Sequence, residues 1–429
     1  MQIVRYPAQA EWSELLKRPL IDNSSLFGIV GGVLNEIRKD GDTALRKYTE
    51  KFDQVVLDKI EVPETELNEA SAKVAPELKT AIEKAAENVH QFHAAQKMHP
   101  LSVETCTGVS CWQKAVPIEK VGLYVPGGSA PLFSTVLMLG IPAKIAGCRE
   151  IVLCTPPNKE GNVHPAILFA AKLVGITRVF KIGGVQAIGA MAYGTESVPR
   201  VFKIFGPGNQ YVMAAKQLTS MTDVAIDMPA GPSEVAVMAD ETANPDFIAS
   251  DLLSQAEHGP DSQVILVTST EALIEKVLTA LEKQLAVLPR KEIAEKAIAH
   301  SRIILLNNES EMVEMINEYA PEHLIISMKN FSEVADKIVN AGSVFLGNYT
   351  PESAGDYASG TNHTLPTNGF ATAYSGVNLD SFVKKITYQE ISREGLKKIG
   401  PVIEIMAEAE ELFAHKNAAT VRLNSLKND

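Results

Sequence analysis

Residues 121–131 read VGLYVPGGSAP, and this stretch decides the fold because an apolar run meets glycine and proline at one point. Val121–Val125 has the length and composition of a buried strand, and the following turn leads into an apolar stretch that predicts a helix ending near Ala146. Short strands that are apolar throughout are typical of parallel sheets covered on both faces. We therefore expect a strand, a turn and a helix here, as the first part of an α/β fold.

The alternation of strand and helix continues beyond this stretch. Three further strands are predicted at 150–154, 178–182 and 201–205. A second series of strands is predicted at 234–238, 263–267, 302–306, 324–327 and 343–346. Because parallel strands are joined by crossover helices, the two series predict two Rossmann-like parallel α/β domains, and their similar size suggests a duplication of one architecture.

The length of the chain predicts several domains, since 429 residues exceed the roughly 250–300 at which a single hydrophobic core stops growing. Apolar residues at helical spacing predict a mostly helical N-terminal region that packs with the second α/β domain. The tail is too short for a core of its own, so we expect it to pack on another domain or another subunit. The predicted segments are the N-terminal region 1–112, the first α/β domain 113–232, the second 233–375 and the tail domain 376–429.

The composition excludes two classes of partner. The chain is 45% hydrophobic and 21% charged, which is ordinary for a globular protein, and its net charge is −12. A negative net charge argues against nucleic acid, because phosphate binding needs a basic face. No apolar run reaches the roughly 18 residues that span a bilayer. The first residues lack a signal-peptide pattern, so we expect a cytoplasmic protein without membrane contact.

The four cysteines, Cys106, Cys111, Cys148 and Cys154, form no C-x-x-C pair. Disulfides are unexpected in a reducing compartment. Cysteine in an apolar strand is most often a small buried hydrophobic residue. We therefore expect structural rather than catalytic roles for these thiols.

A long segment near the end of the second series, residues 347–369, reads GNYTPESAGDYASGTNHTLPTNG. Its glycine, proline and asparagine content prevents a regular helix or strand through its length. Ordered loops of this length usually have a function, although composition alone also fits a disordered surface connection. Asp356 and His363 within the loop favour an active site.

Three strand ends of the first series carry polar side chains beside glycines: Tyr124, Gln186 and Asn209. Ligands of α/β sheets bind beyond the carboxyl ends of the strands, where glycine lets a phosphate or ribose approach the backbone. The pattern suggests a nucleotide-type ligand. Glycines that serve only tight turns are an equal alternative, because no G-x-G-x-x-G motif is present.

The second series carries the side chains best suited to chemistry. Gln255 and His258 lie three residues apart on a helix predicted at 246–258, so they share a face. A Q-x-x-H pair alone is more often two ordinary polar groups than a metal site. Glu322 and His323 are adjacent in an extended segment, so their side chains point apart and can serve different atoms of one ligand. Histidine is well suited to proton transfer because its unperturbed pKa is about 6.5.

Two more polar residues, Glu410 and His415, lie five apart on what we predict to be the last helix. A carboxylate, an amide and two imidazoles would make a nitrogen–oxygen site for a divalent metal such as zinc. The residues of that combination are Gln255, His258, Asp356 and His415.

Several runs of the sequence together resemble the histidinol dehydrogenases, in the right order over nearly the whole chain. The runs are AGPSE (230–234), LLSQAEHGP (252–260), YAPEHL (319–324), SVFLG (343–347), GDYASGTNHTLPT (355–367) and AHKNA (414–418). The resemblance implies a cytoplasmic enzyme of histidine biosynthesis that oxidises L-histidinol to L-histidine, through the aldehyde, with two NAD⁺ and one zinc ion per subunit. It also implies an intertwined homodimer in which the tail crosses over and completes the partner's site.

The resemblance also implies roles for individual residues. Glu322 would activate water and His323 would act as the general base. The implied zinc ligands are Gln255, His258, Asp356 and His415. The implied substrate contacts are Ser233, Gln255, His258, His323, Asp356, His363, Glu410 and His415. The implied NAD contacts are Tyr124, Gln186 and Asn209.

Two other enzyme classes remain open at the level of the sequence. A zinc hydrolase would use the same ligands with a metal-bound water and no nicotinamide. A cysteine-dependent aldehyde dehydrogenase would pass through a thiohemiacetal on Cys111 or Cys154.

Overall fold

A computed structural model describes residues 1–19, 24–127, 130–176 and 178–427. Gly128 and Ser129 of the turn quoted first lie outside the described residues. The chain forms two compact units. Unit 1 comprises Met1–Gln96 and Ile118–Phe382, and unit 2 comprises Lys97–Pro117 and Val383–Asp429.

The secondary structure alternates through most of unit 1. The strands are β1 (Gln2–Arg5), β2 (Leu101–Cys106), β3 (Val109–Pro117), β4 (Lys120–Tyr124), β5 (Glu150–Cys154), β6 (Arg178–Phe180), β7 (Lys203–Phe205), β8 (Ala225–Ile226), β9 (Glu234–Ala239), β10 (Gln263–Thr268), β11 (Arg302–Leu305), β12 (His323–Ser327), β13 (Ser343–Leu346) and β14 (Val383–Ile391). The helices are α1 (Trp12–Leu15), α2 (Ser24–Asp53), α3 (Glu64–Glu69), α4 (Pro76–Ala94), α5 (Phe133–Ala146), α6 (Pro165–Leu173), α7 (Gly184–Tyr193), α8 (Gln210–Ser220), α9 (Pro245–Ala256), α10 (Glu271–Val287), α11 (Lys291–Ala299), α12 (Glu309–Tyr319), α13 (Phe331–Ala335), α14 (Glu352–Tyr357), α15 (Arg393–Ala409) and α16 (Phe413–Ser425).

Unit 1 contains two parallel sheets that share one order of five strands, and β1 adds a sixth strand at the edge of the second sheet. The five-stranded sheet is ordered β6-β5-β4-β7-β8, and the six-stranded sheet is ordered β1-β11-β10-β9-β12-β13. In each sheet the first strand of its series lies in the middle, the second and third lie on one side, and the fourth and fifth lie on the other. All neighbouring pairs in both sheets are parallel. The prediction of two Rossmann-like sheets is confirmed, and a duplication would produce this shared order.

The central strands of both sheets are buried on both faces, as their apolar composition predicts. Every residue of β9 and of β10 is buried, and so are Val121–Tyr124 of β4. Helices pack on both sides, so the strands carry no alternation of polar and apolar residues.

The N-terminal region is mostly helical, as predicted, but it begins with a strand. β1 pairs with β11 at the edge of the six-stranded sheet, from Gln2 beside Arg302 to Arg5 beside Leu305. The long helix α2 bends at Gly41, which has a φ of 49°. Val30, Leu34 and other apolar residues of α2 share a core with the five-stranded sheet.

Unit 2 is built around an antiparallel sheet ordered β14-β3-β2. β14 pairs with β3 along nine residues, from Val383 beside Pro117 to Ile391 beside Val109. The helices α15 and α16 pack on each other within this unit. The four predicted domain segments stay a prediction, because unit 1 contains both parallel sheets together.

Among the described residues, no helix is both long enough and apolar enough to cross a bilayer.

Candidate active site and nucleotide pocket

The predicted acid–base pair lies at the amino ends of two neighbouring strands of the six-stranded sheet. His323 is the first residue of β12 and pairs with Val235 of β9, and Glu322 precedes it directly. Ligands of α/β sheets usually bind at the opposite, carboxyl ends of the strands. Glu322 and His323 therefore lie at the end of the sheet opposite to the one where this rule predicts a ligand, whereas Tyr124, Gln186 and Asn209 were predicted from the rule.

His323 is buried and faces three carboxylates. Its Nε2 lies 3.5 Å from Asp356 Oδ1, and its Nδ1 lies 3.6 Å from Glu322 Oε2 and 3.9 Å from Glu352 Oε1. Burial is the largest single effect and acts to lower the pKa of His323, but the carboxylates together outweigh it. They hold the pKa of this imidazole well above its usual range.

Glu322 is held by main-chain and side-chain donors. The N–H of Glu234 donates to Glu322 Oε2 over 3.0 Å, and Gln255 Nε2 donates to the same oxygen over 3.3 Å. In return, the N–H of Glu322 donates to Glu234 Oε1 over 3.3 Å. Arg18 forms a two-pronged ion pair with Glu234, at 2.5 Å and 2.9 Å. The Glu322 carboxylate is therefore fixed beside His323.

Three potential metal ligands lie beside this pair. One ligand atom from each of His258, Glu352 and Asp356 lies within 4.8 Å of the other two. Gln255 Oε1 is buried and accepts no hydrogen bond within the described part of the chain, because Gln255 Nε2 turns toward Glu322. Imidazole, carboxylate and amide oxygen suit a divalent cation, so the donors fit zinc.

The structure corrects the predicted position of His258. The helix α9 ends at Ala256, two residues earlier than predicted, because Gly259 and Pro260 cannot continue it. The N–H of His258 still donates to the Gln255 carbonyl over 3.2 Å, so the two residues stay close in space.

Glu352 is a site residue that the sequence reasoning missed. It lies on α14, a short helix within the loop 347–369, four residues before Asp356. Residues four apart on a helix share a face, so the E-x-x-x-D spacing of Glu352 and Asp356 is the signal that could have identified it. Burial raises the pKa of Glu352 to about 8; the charge of His323 acts to lower this pKa, and the neighbouring carboxylates act to raise it.

Ser233 and His363 lie with this cluster on the wall of one cavity of about 450 Å³, together with His258 and Glu322. His363 Nδ1 is 2.9 Å from the main-chain oxygen of Asp356, and its Nε2 is 3.1 Å from Thr135 Oγ1. These two contacts orient the ring. We call this cavity the reaction cavity.

The three predicted NAD contacts, Tyr124, Gln186 and Asn209, lie together on a second cavity of about 860 Å³. This cavity, which we call the nucleotide pocket, opens at the carboxyl ends of β4, β5 and β6. Asn209 lines both cavities. The two cavities therefore adjoin at this residue.

The turn before Asn209 requires glycine. Gly206 has a φ of 129°, and a Cβ there would lie 2.0 Å from the main-chain oxygen of Tyr124. Asn209 caps α8 by accepting from the N–H groups of Tyr211 and Val212. The side-chain oxygen of Asn209 is thereby used by the helix cap.

Glu410 and His415 belong to unit 2, and both are exposed. The prediction that they share one helix is wrong. Glu410 follows the end of α15 and His415 lies on α16, because Glu411 adopts a φ of 59° and breaks the helix between them. Their place in the metal and substrate sites stays a prediction.

The two buried cysteines are poor nucleophiles. Cys154 is fully buried, and burial raises the pKa of its thiol. Burial likewise raises the pKa of Cys148 to about 12. Cys106 and Cys111 lie in the antiparallel sheet of unit 2. Because burial disfavours the charged thiolate, Cys154 is a poor candidate for a covalent intermediate.

Comparison with known proteins identifies one family. The family model described as histidinol dehydrogenase matches residues 16–423. Histidinol dehydrogenase of Bacteroides thetaiotaomicron is 62% identical over 427 residues, covering 100% of both chains. That of Escherichia coli strain K12 is 53% identical over 417 residues, covering 96% of this chain and 95% of the relative.

A solved structure gives the same result at the level of the fold. The crystal structure of histidinol dehydrogenase from Elizabethkingia anophelis has a TM-score of 0.98 and 57% sequence identity. The match covers 100% of this chain and 99% of that one. The family model, the sequence identities and the shared fold together show that the chain belongs to the histidinol dehydrogenase family.

Proposed function

We propose that the protein oxidises L-histidinol to L-histidine through L-histidinaldehyde, using two NAD⁺ and one zinc ion per subunit. The observation that carries the proposal is the pair of cavities that share Asn209. One cavity has the features of a nucleotide site, and the other is lined by Glu322, which lies beside the buried His323, and by the potential metal ligand His258. The identity of the substrate is inferred from membership of the histidinol dehydrogenase family.

The residues fit both groups that the family implies. Gln255 Oε1 in the metal cluster and Gln186 Oε1 in the nucleotide pocket are buried acceptors without a partner among the described residues. Buried acceptors are costly to leave unpaired, which supports a ligand at each place. When bound, NAD⁺ would accept the hydride of each oxidation, and zinc would help to position the substrate.

His323 is the proposed base for the substrate hydroxyl, because it is the buried imidazole nearest to the ligand cluster. Against the effect of burial, its pKa is raised by Glu352, Glu322 and Asp356, and a divalent cation on Asp356 would offset part of that negative charge. The pKa of His323 would then move back toward neutrality, where an imidazole works as a base.

Glu322 is the proposed group that activates water for hydration of the aldehyde. Its carboxylate already accepts from the Glu234 N–H and from Gln255, so its orientation is set before substrate binds. After His323 has released its first proton to solvent, it takes the proton of the hydrate in the second oxidation. Ser233, His363, Glu410 and the ligand side chains position the substrate in this proposal.

The zinc ligand set in this proposal is Gln255, His258, Asp356 and His415. Glu352 lies close enough to the cluster to be a neighbouring group or a fifth donor. His415 and Glu410 come from the tail, which we propose crosses to complete the site of the other subunit in a homodimer.

The apolar surface of unit 2 supports a homodimer. Large apolar side chains on and between its two last helices are exposed, although such residues are usually buried. They are Val402, Ile405, Met406, Leu412, Phe413 and Val421. A second subunit of the same chain would cover them.

The test of the proposed function is the reaction itself. Purified protein with zinc, L-histidinol and NAD⁺ is expected to produce NADH and L-histidine together. A zinc hydrolase would form no NADH. A cysteine-dependent enzyme would lose its rate when Cys111 or Cys154 is replaced by alanine, whereas the proposed enzyme would retain its rate in both variants.

A further inference from the structure

The nucleotide pocket contains a side-chain amide whose orientation is set by a carboxylate. Gln186 is 1% exposed, and its Nε2 donates to Asp53 Oδ2 over 3.2 Å. An ionised carboxylate only accepts hydrogen bonds, so it selects the NH₂ side of the amide. The carbonyl Oε1 is left over, buried and unpaired among the described residues.

A hydroxyl donor lies next to this acceptor. The N–H of Gly184 donates to the Tyr124 hydroxyl oxygen over 3.1 Å, so the hydroxyl proton of Tyr124 stays available for a ligand. Gly184 also adjoins Gln186 Oε1, since a Cβ on this glycine would lie 3.1 Å from that atom. The wall of the pocket therefore presents one acceptor and one donor close together.

This pair complements a flat heterocycle that carries an amino group beside an acceptor nitrogen. The adenine edge has that pattern, and the nicotinamide carboxamide has a similar one. The remaining walls include the apolar side chains of Val30, Val33, Pro156 and Ile167, which can cover the faces of a ring.

The position of the pocket favours adenine. Glu322 lines the reaction cavity, and His323 Nδ1 lies 3.6 Å from the Glu322 carboxylate, so the ring that exchanges hydride has to lie there. Asn209 separates the two cavities, which leaves the nucleotide pocket for the other end of the dinucleotide.

We propose that Asp53 locks Gln186 so that its carbonyl accepts from the exocyclic amino group of the cofactor's adenine. This inference rests on the proposed use of NAD⁺ and deepens it by naming the recognised group. Asp53 is a positioning residue: it acts through Gln186 and sets which side of the amide meets the cofactor.

The first arm of the test measures binding without turnover. ADP-ribose and its hypoxanthine counterpart, in which an oxygen replaces the amino group, are titrated calorimetrically into the zinc-loaded wild-type protein. ADP-ribose is expected to bind about 5- to 150-fold more tightly, because the hypoxanthine oxygen faces an unpaired acceptor. Equal affinities overturn the proposal without reference to any variant.

The second arm uses Asp53→Asn, with Asp58→Asn as the matched control at an exposed position. The asparagine can donate to Gln186, so the amide is free to turn and present its NH₂ group to the pocket. The preference for ADP-ribose is expected to fall toward one in Asp53→Asn and to stay at the wild-type value in Asp58→Asn. An unchanged preference in Asp53→Asn overturns the role of Asp53.

The third arm identifies the source of the amino group by kinetics. NAD⁺ is compared with its hypoxanthine analogue and with its acetylpyridine analogue, which lacks the carboxamide NH₂. For Asp53→Asn the loss is expected mainly in KM for NAD⁺, and the hypoxanthine discrimination is expected to shrink. If Asp53→Asn alters the acetylpyridine discrimination instead, the recognised group is nicotinamide and the adenine assignment is wrong.

The two proposals fail in different ways. If no dinucleotide is reduced with histidinol while ADP-ribose remains preferred, the proposed reaction is wrong and adenine recognition stands. If NADH forms but the wild-type protein binds both nucleotides equally, the reaction stands and the present inference falls.

Discussion

Glu234 and Glu322 exchange hydrogen bonds, since the main-chain N–H of each residue donates to the carboxylate of the other. Glu234 is the first residue of β9, and Glu322 directly precedes β12, the strand next to β9. Arg18, 2.5 Å from Glu234, compensates one of the two buried charges and also stacks on the ring of Tyr319 at 4.1 Å. The Glu322 carboxylate, the proposed activator of water, is thus anchored to the core by a second carboxylate.

Removing the charge of Arg18 is expected to destabilise the fold. Its ion pair with Glu234 is buried, with side chains 16% and 2% exposed. Arg18→Met would leave Glu234 unpaired beside Glu322, at a cost of about 3–5 kcal/mol in the free energy of unfolding by urea. The double variant Arg18→Met/Glu234→Gln is expected to recover most of that loss.

A matched control is available in Arg5, whose ion pair with Glu271 is about half exposed on both sides. Arg5→Met is expected to change the free energy of unfolding far less than Arg18→Met does, because solvent screens an exposed ion pair. If Arg5→Met and Arg18→Met lowered the free energy of unfolding equally, the buried ion pair of Arg18 with Glu234 would not stabilise the fold as we expect.

Replacing the proposed base is expected to slow the reaction without emptying the metal site. His323→Asn should lower kcat by about 10²–10⁴-fold, because the substrate hydroxyl loses its proton acceptor. Zinc content, measured by atomic emission, should stay at one ion per subunit. His90→Asn, at an exposed position on α4, serves as the control. Full turnover in His323→Asn would remove this residue from the proposed role.

Replacing a proposed metal ligand is expected to affect zinc first. His258→Ala should lose zinc and affinity for histidinol together, since the imidazole is one of the donors in the cluster. Glu257→Ala changes the neighbouring residue and should retain both. Stoichiometric zinc in purified His258→Ala would mean that the ligand set is assigned incorrectly.

The proposed exchange of tails predicts complementation between two inactive variants. His323→Asn and His415→Ala should each be inactive alone. Subunits mixed under conditions that allow exchange should regain about a quarter of the wild-type activity, because half of the dimers then contain one intact site. If each tail completed its own site, the mixture would stay inactive.

The regular parts of the fold could be predicted because their signals are local. Val121–Val125 predicted β4 to within one residue at each end, since an apolar run before glycine and proline has few alternatives. The pairing of β1 with β11 could not be predicted. It joins residues 300 positions apart, and nothing in the short sequence of β1 specifies that partner.

The candidate site was predictable to the extent that chemistry marks it. Glu322 and His323 are unusual beside an apolar strand, and their adjacency pointed to a site. Arg18 and Asp53 carry no such mark, because their importance depends on contacts with Glu234 and Gln186 that only the folded chain creates. Glu410 and His415 were assigned to one helix because the positive φ at Glu411 has no sequence signal.

The most direct measurement of the central claim is the amount of NADH formed per L-histidinol consumed, before and after a chelator removes the metal. Oxidising an alcohol to a carboxylate removes four electrons, so we expect two NADH for each L-histidine produced. Turnover should disappear with the metal and return when zinc is added. One NADH per histidinol, or turnover that survives complete removal of the metal, would contradict the account.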